Sequence, residues 1–78
     1  MNLSDLKLGS KGIIKGIAKD CSKEVHQRFL DLGFVAGAVI SVHSISPLKD
    51  PVAYSIYNTI ISLRKEDARM VLLEAENE

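Results

Sequence analysis

The side chains best able to do chemistry in this 78-residue chain are one thiol, two imidazoles and three guanidinium groups: Cys21, His26, His43, Arg28, Arg64 and Arg69. A thiolate beside an imidazole can attack an electrophile, and Cys and His together with carboxylates can ligate a divalent metal. The spacing spells out neither. Cys21 and His26 stand five positions apart, across a loop and the first turns of a helix, without a second cysteine to extend the set. There is no glycine-rich phosphate loop ending in Lys-Ser/Thr, no nucleophile elbow and no His-Glu-x-x-His. The chain is expected not to be an enzyme and to carry no cofactor. Cys21, His26 and His43 remain weak metal candidates, because a site shared between two molecules leaves no complete motif in one sequence.

Size and charge narrow the remaining functions. A chain of 78 residues, 46% of them hydrophobic, makes one domain with one core and no deep cleft. Ten basic against ten acidic side chains give zero net charge, so the positive field that accompanies most nucleic-acid binding is missing. The distribution is uneven: Lys7, Lys11, Lys15, Lys19, Lys23 and Arg28 weight the first half, and Glu74, Glu76 and Glu78 end the chain in an acidic tail expected to fray over about 74–78. A lone cysteine, the absence of a membrane-length apolar run and a polar start at MNLSDLKLG point to the cytoplasm.

The elements that must position these residues follow from periodicity. Glycines 9, 12 and 16 argue against a helix through the evenly spaced lysines. Lys11 to Ile17 reads as a strand, with Gly16 bulging it so that Ile14 and Ile17 both turn inward. A helix is predicted from Lys23 to Leu32, capped by Ser22, with Val25, Phe29 and Leu32 on its apolar stripe. Gly33 closes it, and Phe34 is placed over Phe29 as in a Schellman ending. Beyond this point the period is two: Val39 to Ile45, Val52 to Tyr57, Thr59 to Arg64 and Met70 to Glu74 read as strands. Asn58 makes a tight hairpin, Pro47 and Pro51 bracket an ordered loop, and Lys65 to Arg69 makes a single helical turn. The fold class is therefore mainly β: a small SH3-like five-stranded barrel with a helix between strands 1 and 2 and a short helical turn before the last strand.

Such a barrel invites comparison with readers of proline-rich peptides, which need a groove of several aromatic rings. The aromatic set here is Phe29, Phe34, Tyr54 and Tyr57, without tryptophan. Tyr54 and Tyr57 stand three apart on one strand and point to opposite faces, so that groove is not expected, and base stacking is equally poorly served. Protein recognition remains. Phe34, Val35 and Ala36 follow the helix directly, between Arg28 and the loop of Pro47, Leu48, Asp50 and Pro51, and form the candidate docking surface to the extent that they are exposed. An apolar edge strand is a second route to association, as a homodimer.

Three segments in this order, RFLDLGFVAGAVISV (28–42), PLKDPVAYSI (47–56) and ISLRKEDARMVLL (61–73), resemble the ferrous-iron-transport protein A (FeoA) family, and the match runs from Leu6 and Gly9 to the last strand. Ala36 stands where the family commonly has proline before the glycine at Gly37, and Asn58 where it often has glycine. The resemblance implies a cytoplasmic accessory protein of bacterial ferrous iron uptake that binds and modulates a membrane permease carrying a cytoplasmic GTPase domain, touching the membrane only through that partner. Arg28, Leu30, Leu32 and Gly33 match the family's helix-and-turn motif; Pro47, Leu48, Asp50 and Pro51 match its loop motif. Asp50 is expected to hold the loop through its own backbone. Arg28, Arg64 and Arg69 are the candidates for an arginine donated to a GTPase; their structural alternatives are an exposed helix charge, a strand end, and a pairing of Arg69 with Glu66 or Asp67. The alternative function is a regulatory or metal-binding SH3-like module related to the C-terminal domain of iron-dependent repressors.

Overall fold

The computed structural model describes residues 1–74, so the acidic tail beyond Glu74 lies outside the described residues. Five antiparallel strands form one curled sheet: β1 (Lys11–Ile17), β2 (Val39–Ile45), β3 (Val52–Ile56), β4 (Thr59–Leu63) and β5 (Val71–Leu73), in spatial order β4-β3-β2-β1-β5. Helix α1 (Lys23–Asp31) lies between β1 and β2, and the one-turn α2 (Lys65–Ala68) precedes β5. A 3-10 turn at Leu3–Asp5, unforeseen from periodicity, opens the chain; Ser4 N–H donates to Asn2 Oδ1 and Asn2 N–H to Asp5 Oδ2, both at 3.0 Å. That reciprocal pair is a capping box, and it sinks Leu3 into the core.

Helix α1 begins where Ser22 Oγ accepts from Val25 N–H at 3.3 Å. It ends in the expected Schellman arrangement, with Phe34 N–H donating to Phe29 O at 2.9 Å and Gly33 N–H to Leu30 O at 3.0 Å. Gly33 has φ +93°, and a Cβ there would stand 3.1 Å from the Tyr57 ring, so glycine is required both for the turn and for the close approach. The Phe29 and Phe34 rings stack with centroids 5.3 Å apart. The apolar stripe is shorter than predicted, because the helix stops at Asp31. Leu32 becomes the C-cap and stays 38% exposed instead of joining Phe29 in the core.

The sheet carries two irregularities. The shift between Ile14 and Gly16 in β1 is the expected bulge; it buries Ile14 and leaves Ile17 packed against the core edge. The second falls between Val42 and Ser44, making His43 the extra residue of β2, so the period-two alternation of that strand is broken there. The strand ends are trimmed relative to the sequence reading. Tyr57 and Asn58, with φ of 51° and 61°, form the two-residue turn of the β3–β4 hairpin, Arg64 caps α2, and β5 spans Val71–Leu73. The free edge of β5 is partly covered by the N-terminus, through a bridge between Asn2 and Leu72 and a bond from Leu73 N–H to Met1 O at 2.9 Å. On the buried face of the sheet, Ile40 lies beside Ile56 and Val42 beside Tyr54 on the paired strands β2 and β3, and Ile14, Val71 and Leu73 belong to the same core.

Candidate functional site

Among the sequence-predicted contact residues, the structure divides the run after α1. Phe34 is fully buried and belongs to the core, whereas Val35 is 41% exposed and Ala36 is exposed. The reason is the Schellman turn, which swings Phe34 back over Phe29 and releases the next two residues to the surface. Arg28 is exposed on α1 and approaches Asp67 of α2 at 4.0 Å. Asp67, one of the two partners considered for Arg69, thus makes its contact with Arg28 across the two helices instead. A pair this exposed contributes little to stability, about 0–1 kcal/mol.

The proline-bracketed loop is ordered as predicted, but by other means. Lys49 takes φ 68° and its N–H donates to Ser46 O at 2.8 Å, and Ser46 N–H reaches Pro51 O at 3.4 Å. The Asp50–Pro51 peptide is cis. Asp50 does not bond its own loop: its Oδ1 accepts from Lys65 N–H at 2.8 Å. Arg64, the residue at the N-cap of α2, makes no side-chain capping bond, so a carboxylate fifteen positions earlier meets one of the free N–H groups of that turn. Leu48, at 88% the most exposed of the large apolar side chains, stands at the tip of the same loop.

Beside this loop runs a groove of about 300 Å³. Leu6, Ile45 and Val52 supply its apolar lining, Ser4 and Tyr54 bring hydroxyls, and Lys49 and Lys65 bring ammonium groups. Tyr54 is 2% exposed, and burial raises the pKa of its phenol above the ordinary value of 10.0, with the nearby Asp50 carboxylate adding to the effect. Of these groove residues none was singled out as a contact from sequence. The spacing of Asn2 and Asp5 was the available signal for the opening turn that brings Ser4 and Leu6 here.

The metal candidates do not converge. Cys21 is half-buried against the core, His26 is exposed on α1, and His43 is exposed at the β2 bulge. Among the described residues no three of His, Cys, Asp and Glu group closely enough to hold a metal ion. No helix among them is long and apolar enough to cross a membrane.

The FeoA domain family matches residues 1–75. The chain belongs to the FeoA domain family. Its FeoA domain is 38% identical over 74 residues to an Fe(2+) transport protein A/Fe(2+) transporter FeoB fusion protein of Porphyromonas gingivalis, an alignment covering 95% of this chain and 8% of the fusion protein. The FeoA protein of Chlorobium tepidum superposes with a TM-score of 0.87 at 30% identity, over 100% of this chain and 74% of that one. The FeoA of Stenotrophomonas maltophilia, an SH3 domain protein solved in complex with zinc, superposes with a TM-score of 0.84 over 95% of this chain and 89% of that one. At 24% identity that last likeness concerns the fold, which is SH3-like. FeoA domains are accessory and non-enzymatic, in keeping with the sequence reading.

Proposed function

We propose that this FeoA domain is a cytoplasmic accessory protein of ferrous iron uptake that binds a membrane permease with a GTPase domain and modulates it. The observation that carries this reading is the Porphyromonas gingivalis protein, in which a 38% identical domain shares one chain with an Fe(2+) transporter. Fusion holds two modules at high effective concentration, and it is useful where the separate proteins must meet to act.

Modulation through binding suits the chemistry better than donation of a catalytic group. Arg28 faces Asp67, and Arg64 and Arg69 flank the single turn of α2, all three exposed on the surface. A scaffold that binds one nucleotide state of its partner more tightly than another shifts that partner's equilibrium by the difference in affinity, and needs no reactive residue. The contact residues proposed are Arg28, Val35 and Ala36 beside α1, with Pro47, Leu48, Asp50 and Pro51 in the loop; Phe34 supports them from the core.

The test is an NMR titration of the isotope-labelled protein with the soluble GTPase domain of the permease in nucleotide-free, GDP-bound and GTP-analogue-bound states. Saturable shifts confined to Arg28–Ala36 or Pro47–Pro51, stronger in one nucleotide state, are the expected result. Absence of shifts in every state would remove direct binding to that domain.

A further inference from the structure

We propose that the groove beside the Pro47–Pro51 loop receives an acidic segment of a protein partner, in which a carboxylate is followed by an aliphatic side chain. Naming the permease's cytoplasmic portion as the source of that segment rests on the function proposed above; the chemistry of the groove does not. Lys49 and Lys65 are its charged lining residues, and among the described residues neither ammonium group pairs with a carboxylate; Asp50 bonds the backbone N–H of Lys65 at 2.8 Å, not its Nζ. Two ammonium groups without an ion pair therefore line the groove. Leu6, Ile45 and Val52 provide an apolar bed, and Ile45 is 40% exposed in the free domain. A volume of about 300 Å³ is the size of a pocket for one or two side chains.

Charge complementarity selects this occupant over the others. A basic or neutral apolar segment would leave the ammonium groups unanswered and partly desolvated, which costs affinity. A second copy of the chain could offer its own acidic end, Glu74, Glu76 and Glu78, but Ala75 and Asn77 follow the first two carboxylates there, one too small and the other too polar to fill the apolar bed. The aromatic rings that a proline-rich ligand needs are also missing from the lining, where Tyr54 is 2% exposed.

The experiment uses the full chain and two capped tetrapeptides, acetyl-Glu-Leu-Glu-Leu-amide and acetyl-Gln-Leu-Gln-Leu-amide, followed by the methyl signals of Leu6, Ile45 and Val52. Saturable shifts at those methyls, with the Glu peptide about tenfold tighter than the Gln peptide and that preference lost at high salt, are expected for a charge-assisted contact. The double variant K49Q/K65Q should bind both peptides alike; it leaves the Lys65 N–H to Asp50 bond in place, and an unchanged amide spectrum verifies the fold. Equal affinity of the wild type for the two peptides, or shifts located elsewhere, overturns the proposal. A parallel titration with the permease GTPase domain separates the two claims. If that domain binds wild type and K49Q/K65Q equally, the groove is not its docking site while the function stands; if it binds neither, the function falls and the peptides alone decide the groove.

Discussion

Asp50 shows how one side chain can join two parts of a small domain. Its carboxylate accepts from Lys65 N–H across fifteen positions of sequence, so the loop that displays Leu48 and the turn that carries Asp67 are held together by a charge-assisted hydrogen bond. Removing the acceptor in Asp50→Ala leaves α2 without any side-chain cap and is expected to cost about 1–2 kcal/mol, read from urea denaturation. The same carboxylate acts on Tyr54. Its phenol is protonated in the folded state above the pH at which an unfolded tyrosine ionises, so the native state holds the extra proton there. The stability this contributes is fully present below pH 10.0 and is lost as pH rises towards the folded pKa. Ultraviolet titration should find the Tyr54 midpoint above that of a free tyrosine. Asp50→Asn should lower it only in part, because burial is the larger cause.

At the scale of the element, the end of α1 sets both core and surface. The reversal at Gly33 stacks Phe34 on Phe29 and brings the ring of Tyr57 within 3.1 Å of where a Cβ would be. Gly33→Ala is therefore opposed twice, by a left-handed backbone and by an aromatic neighbour. A loss of roughly 1–3 kcal/mol is expected from thermal unfolding, of which Tyr57→Ala in the same chain should restore only the steric part. Phe34→Ala should cost about 3–5 kcal/mol through the cavity it leaves, whereas Val35→Ala, one position on and 41% exposed, should change stability by under about 1 kcal/mol. An effect of Val35→Ala on partner binding without an effect on folding would assign that residue to recognition.

For the whole molecule, the reading that an SH3-like domain acts by binding can be tested on its surfaces. Both candidate surfaces touch α2: the loop and groove reach it through Asp50 and Lys65, and α1 reaches it through Arg28 and Asp67. If the domain alters GTP hydrolysis by the permease through differential binding, then Arg28→Ala, Arg64→Ala and Arg69→Ala should each retain maximal stimulation at saturating concentration. A loss of about 1,000-fold in the stimulated rate from any one of them is the signature of an arginine donated to the transition state.

The strands, α1 and its ending were legible in the sequence because they depend on local preferences: the period-two patterning of Val39–Ile45, the serine ahead of Lys23, and the glycine after Leu32. The loop over residues 47–51 was also legible, as two prolines around a polar turn. What local rules could not supply was the partner of each polar group and the exposure of each apolar one. Phe34 and Val35 are neighbours of similar hydrophobicity, and only the direction of the chain after Gly33 decides that one is core and the other surface. Asp50 belongs to a motif that suggests the N–H groups of its own loop as donors to it, yet the folded chain offers it the Lys65 N–H. The groove gathers residues from the opening turn, two strands, the loop and α2, separated by as many as 61 positions between Ser4 and Lys65, and no pattern of spacing encodes such an assembly. Periodicity acts over a few residues at a time, so it determined the elements; the surface that a partner meets is made by their packing, which only the tertiary structure decided.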